Sequence, residues 1–252
     1  PKAVRGGTYT AELPSITGPV RARDHFLADD WRIAQASTDR PVKITMPGPM
    51  TITDTTVNLH YEDEKALGVD LADAINSEVR ALAEAGCQWI QIDEPVFARK
   101  PDLALAYGID HLERCFHGVP SGVHKVMHMC CGYPDRLDRE DYPKADRQAY
   151  FRLAEAVDAS CIDAVSIEDA HRHNDLSLLE LFAKSQVILG VVAVAKSRVE
   201  SVDEIRQRLS QALEHIDAAR LIAAPDCGLG MLGRDLARAK LGNLCHAARD
   251  FA

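Results

Sequence analysis

Apolar residues follow two alternating rhythms along this chain. Short, dense runs rich in Val and Ile occupy residues 41–45 (PVKIT), 89–93 (WIQID), 125–130 (KVMHMC), 164–168 (AVSIE), 187–194 (VILGVVAV) and 221–225 (LIAAP). Runs of that length and composition read as strands. Between them, apolar positions three and four apart predict helices over 70–85, 148–159, 202–219 and 233–252, with Gly86 stopping the first. Strands this apolar, alternating with helices, predict a parallel sheet covered on both faces, which is an α/β fold. No repeat, low-complexity tract or linker divides residues 1–252, so they read as a single domain.

Polar residues punctuate the strand ends. The second strand ends in Asp93-Glu94, the third in His128-Met129-Cys130, the fourth in Glu168-Asp169, and the sixth runs into Asp226-Cys227. In a (β/α)8 barrel of TIM type these ends share one face, and that face carries the active site. His128 and Cys130, two apart on a strand, point the same way. Cys131 would point the opposite way if the strand continued, which makes it the rival ligand. Two thiolates, an imidazole and a carboxylate (Cys130, Cys227, His128 and Glu168) form a donor set that suits zinc. Zinc in turn holds an incoming thiol in its nucleophilic thiolate form. Spacing alone leaves the plainer reading open, because a buried Cys often serves as a small apolar side chain. Cys87, Cys115, Cys161 and Cys245 lie in or beside helical stretches and read as packing. The charged segment 135–146 (DRLDREDYPKAD) reads as an exposed insertion, a possible lid.

Charge and composition narrow the function classes. A net charge of -9 with acids and bases interspersed argues against a broad nucleic-acid or anionic-membrane surface. No apolar run is long enough to span a bilayer and no signal pattern opens the chain, so the expected setting is cytoplasmic. There, an odd count of 7 cysteines reads as reduced, buried or metal-bound thiols.

Five stretches, in order, resemble the catalytic barrel of the cobalamin-independent methionine synthase family: PVKITMPGP, WIQIDEP, HMC, the strand end at Glu168, and PDCGLG. The resemblance implies a zinc-dependent methyltransferase in which His128, Cys130, Glu168 and Cys227 hold Zn2+. It implies that Asp93 binds the amino group of homocysteine on the way to methionine; in such a set the labile carboxylate of Glu168 is the ligand an incoming thiol would displace. The implied partners are a homocysteine-like thiol and a methyl donor: a folate, a corrinoid or another. A related thiol alkyltransferase of the epoxide:coenzyme M type and a non-catalytic zinc-binding barrel are the alternatives. An ammonium-binding Asp93 favours an amino-acid thiol over a sulfonate.

The chain also departs from the family pattern. Two strands that precede the PVK strand in the family are not recognised here, so the barrel is expected to lack its N-terminal strands. At three positions tied to a folate donor, Thr55 stands where the family has a pterin-stacking Trp, Arg99 stands near its acidic residue, and Ala195 stands where a proton-donating His is expected. Lys196, one position on, reads either as a substitute acid or as a solvated strand-end lysine. His171 and His173 read equally as acid–base groups or as a solvated loop.

Overall fold

The computed structural model describes residues 2–4, 9–132 and 134–251, the side chains of residues 2–4 and 9 excepted. The six apolar runs form one parallel sheet: β1 (Lys43–Pro47), β2 (Trp89–Asp93), β3 (His124–Met129), β4 (Ala164–Ile167), β5 (Gln186–Val192) and β6 (Leu221–Pro225). The strands lie side by side in chain order, and every pairing is parallel. Among the described residues, β1 and β6 are the outer strands and do not pair with each other. The sheet is therefore an arc in the order of a barrel wall. Two short pairings lie outside it: Lys2–Val4 with Tyr9–Ala11, and Ser15–Ile16 with Val57–Asn58.

Strand periodicity divides the core. Ile90 and Ile92, Met127 and Met129, and Val165 and Ile167 enter the main cluster, together with helical residues such as Leu82, Leu153 and Leu209. Val126, Ala164 and Ile188, on the other face, form a smaller cluster with Trp89, Ile222 and Ala224. Gln91, Asp93, His128 and Ser166 continue that inner face toward the C-terminal ends. Register sets their depth, because Asp93 pairs with His128 and His128 pairs with Ser166.

The helices differ from the periodicity mainly at their ends. Helix α1 (Leu27–Gln35) was not legible in the sequence; its Trp31 ring donates to the Val42 carbonyl at 3.2 Å, tying the helix to the start of β1. Helix α2 (Pro49–Asp54) is a single short turn following the PGP sequence. Helix α3 (Glu64–Ala85) begins six residues before the expected 70, because Asp63 caps it by accepting from the Ala66 N–H at 2.7 Å. Helix α4 (Gln148–Ala159) matches the pattern. Helix α5 (Val202–Ala212) carries a capping box at Ser201 and Glu204 and stops well short of 219. Its apolar pattern continues, but the backbone tightens into turns after Ala212. Helix α6 (Arg234–Ala248) closes the chain. Of the cysteines expected to pack, Cys87 and Cys115 are buried and Cys161 is partly buried, but Cys245 is exposed on α6, since its position faces away from the sheet. Among the described residues no helix is long and apolar enough to cross a membrane.

Candidate metal centre and the cavity beside it

Three strand ends converge on one small volume. The Nδ1 of His128 lies 3.0 Å from the Ser166 hydroxyl, which sets the ring plane. Its Nε2 is buried without a hydrogen-bond partner. This nitrogen faces the sulfurs of Cys130, just past the end of β3, and Cys227, just past the end of β6. The three donor atoms all lie within 4.8 Å of one another. Among the described residues this is the group of three or more His, Cys, Asp or Glu side chains close enough to share an ion. An orphaned buried imidazole nitrogen beside two thiols is a good fit for a thiophilic cation. The thiols crowd each other: the neighbouring Cys227 and burial push Cys130 well above the ordinary thiol range. Burial alone would lower the pKa of His128, but Cys227 and Asp93 outweigh it and raise it.

Asp226 brings Cys227 into place. Its carboxylate accepts from the N–H groups of Asp169, Ala170 and His171 at 2.9, 2.8 and 2.7 Å, and faces the His171 Nδ1 at 2.6 Å. The turn after β4 is thereby fastened to the turn after β6. Gly190 permits this approach, because a Cβ there would fall 2.2 Å from the Asp226 Oδ1. The Ala195 N–H donates to the His171 Nε2 at 3.0 Å, so the ring proton sits on Nδ1, facing Asp226. His171 thus occupies the position beside Ala195 with both ring nitrogens engaged, while His173 is exposed and reaches Asp169 at 3.3 Å.

Glu168 lies at the edge of this cluster. Its Oε1 is 2.5 Å from the Lys144 Nζ, and its Oε2 accepts from the Cys131 N–H at 3.2 Å. Burial pushes its carboxyl up and Lys144 opposes that shift. The structure brings His128, Cys130 and Cys227 together and leaves Glu168 on the lysine. Cys131, the rival ligand, lies outside the group, in the main core beside Tyr150.

Asp93 accepts from the Gln91 amide at 2.7 Å, and Gln91 in turn accepts from Lys43. Burial raises the Asp93 carboxyl, and His128 and Gln91 partly offset it. Asp93, His128, Cys130 and Cys227 line a cavity of about 180 Å³ together with Thr55 and Arg99. The Thr55 hydroxyl is turned back onto the Thr51 carbonyl at 2.8 Å. A second hollow, of about 380 Å³, is lined by Lys144, His171, Ala195 and Lys196. The charged insertion forms its rim, tied down by the Asp138 N–H to the Ala195 carbonyl and by the Ala145 N–H to the Cys131 carbonyl. Tyr133, two positions before that insertion, lies outside the described residues. Ser166, Gln91 and Lys144 were missed in the sequence. The first two carry a usable signal, each sitting two residues before a site residue on the same strand face. Lys144 carries none, because it arrives from a loop.

A parallel strand arc with an imidazole and two thiols converging at its C-terminal ends defines a TIM-type α/β protein with a candidate metal site on that face. Residues 7–250 match the family described as the cobalamin-independent synthase catalytic domain. The methionine synthase of Thermococcus kodakarensis is 30% identical over 97% of this chain and 67% of its own length. The methionine synthase of Pyrococcus furiosus is 31% identical over 99% of this chain and 68% of its own. A solved B12-independent methionine synthase from Shewanella sp. W3-18-1, in complex with selenomethionine, superposes with a TM-score of 0.88 at 30% identity. That superposition covers 97% of this chain and 72% of that one. The chain belongs to the cobalamin-independent methionine synthase catalytic-domain family, a family of methyltransferases with a TIM-type barrel. It spans about two thirds of the length of these curated relatives.

Proposed function

We propose that residues 1–252 form a single zinc-binding domain that transfers a methyl group to the sulfur of homocysteine, giving methionine. The observation that carries this reading is the orphaned His128 Nε2 facing two thiols at the strand ends, in a chain of the methionine synthase family. His128, Cys130 and Cys227 would hold Zn2+, with Glu168 as the fourth, exchangeable ligand. When bound, zinc would supply a Lewis acid that keeps the substrate sulfur as a thiolate at neutral pH. Asp93 would bind the substrate ammonium from the cavity wall, its carboxylate oriented by Gln91. Thr55 and Arg99 in the same cavity, and Ala195 with Lys196 in the hollow that Lys144 lines, would bound the space for the methyl donor, a corrinoid or another donor with a better leaving group than a folate. A cytoplasmic setting fits a site that needs reduced thiols, and none of the seven cysteines is in a disulfide.

The test is metal content. Protein purified without added metal is expected to carry about one zinc per chain, and Cys227→Ser to lose most of it. A Cys227→Ser chain with full zinc occupancy would overturn the ligand assignment.

A further inference from the structure

We infer that Lys144 is a positioning residue that receives the Glu168 carboxylate when a substrate thiol takes its place on the metal. The inference rests on the zinc-site reading above and adds a residue to it. Glu168 has a side chain only 2% exposed, so it cannot leave a metal for water. A carboxylate released into such a place needs a positive partner, since an unpaired buried charge is costly. Lys144 is that partner: its ammonium, 11% exposed, lies 2.5 Å from Oε1, while the Cys131 N–H satisfies Oε2. The other three donors already lie within 4.8 Å of one another, and the carboxylate stands apart on the lysine.

The lysine is held where it can play this part. The insertion that carries it is fastened at both sides of the hollow. The Asp138 N–H donates to the Ala195 carbonyl at 2.8 Å, and the Ser197 N–H donates to the Asp138 carboxylate at 2.8 Å. Ala145, next to Lys144, donates to the Cys131 carbonyl at 3.0 Å and accepts from Arg172 at 2.7 Å. Asp138 pays for its anchor with a left-handed backbone at φ 59°, a conformation non-glycine residues adopt only when the surroundings demand it. With zinc bound, the substrate sulfur would take the ligand position that the Glu168 oxygen gives up. The thiol proton leaves to bulk water, and Glu168 remains a carboxylate paired with Lys144. The lysine touches neither substrate nor metal; it acts through Glu168.

X-ray absorption at the zinc edge, with homocysteine titrated into the zinc-loaded chain, separates the possibilities. In the unsubstituted protein the sulfur count is expected to rise from two to three. In Lys144→Met, zinc should stay bound with two sulfurs, and the thiol concentration needed to reach three should rise at least tenfold. Lys144→Arg, which keeps the charge, should recover most of that loss. Two outcomes would overturn the role of Lys144: unchanged thiol dependence in Lys144→Met, or loss of zinc from it, which would mean the lysine holds Glu168 onto the metal. A sulfur count fixed at two in the unsubstituted protein would instead overturn the ligand-exchange reading itself, and the Lys144 role with it.

Discussion

Ser166 holds the His128 ring at Nδ1 and so decides which nitrogen faces the cysteines. Partners of this kind, one bond removed from a metal, typically contribute 10- to 100-fold in metal affinity. Ser166→Ala is therefore expected to weaken zinc binding by roughly 10- to 100-fold with little change in folding, measured by competition with a chromogenic chelator. The same logic applies to Asp93. A charge-assisted hydrogen bond to an ammonium group is worth about 1.5–3 kcal/mol, so Asp93→Asn should weaken homocysteine binding about tenfold or more. Calorimetric titration with homocysteine and its des-amino analogue is the measurement. Equal affinity of the unsubstituted protein for the two compounds would remove Asp93 from the substrate site.

At the scale of one element, the short helix α2 depends on Glu94. This fully buried carboxyl accepts from the Met50 and Thr51 N–H groups at 2.9 Å each and from the Thr51 hydroxyl at 2.7 Å. It thereby caps the helix whose C-terminal neighbour is Thr55. Gly48 makes room, since a Cβ there would fall 2.3 Å from the Glu94 Oε1. Burial outweighs these hydrogen bonds and pushes the carboxyl up to about 7. Because this value is raised above that of the unfolded chain, the neutral acid favours folding. Its contribution is complete below about pH 4.5 and is lost as pH rises through about 7. Glu94→Gln mimics the neutral form and does not titrate. Relative to the unsubstituted chain, it should gain about 3 kcal/mol in unfolding free energy between pH 4 and pH 8. Urea unfolding at the two pH values checks this, and a constant difference would show that Glu94 is ionised throughout.

At the scale of the whole molecule, loops from different strands line the hollow beside Lys144. The loop after β5 carries Ala195 and Lys196, and Lys240 of α6 anchors it through the Ala193 and Arg198 carbonyls and the buried Glu200. Where an acid would be wanted for a folate leaving group, the structure has Ala195, and the adjacent His171 imidazole is committed to Asp226 and the Ala195 N–H. General acid catalysis typically contributes ~10²–10⁴-fold. Turnover of the zinc-loaded protein with homocysteine is accordingly expected to be faster with methylcobalamin than with methyltetrahydrofolate by at least about tenfold. Steady-state assays with each donor are the check, and equal or faster turnover with the folate would refute the donor reading.

Strand identity, order and inward-facing residues were legible because a strand repeats every two residues and a helix every 3.6. All six runs became sheet strands, and β2 and β6 kept the expected ends. His128, Cys130 and Cys227 could be named beforehand because thiols and imidazole at strand ends are chemically specific. The sequence by itself thus determined the α/β class, the parallel order and the face that carries the chemistry. It did not reveal α1, which is held by the tertiary contact of Trp31 with Val42 rather than by a strong helical pattern. The stop of α5 and the exposure of Cys245 were hidden too, because periodicity records which positions are apolar and not what lies opposite them. Only the tertiary structure set Asp226 as the clasp between two loops, put His171 against Ala195 and placed Lys144 on Glu168. Each of those contacts joins residues more than 20 positions apart through loops, where no repeating geometry constrains the backbone and only the packed sheet beneath decides what meets.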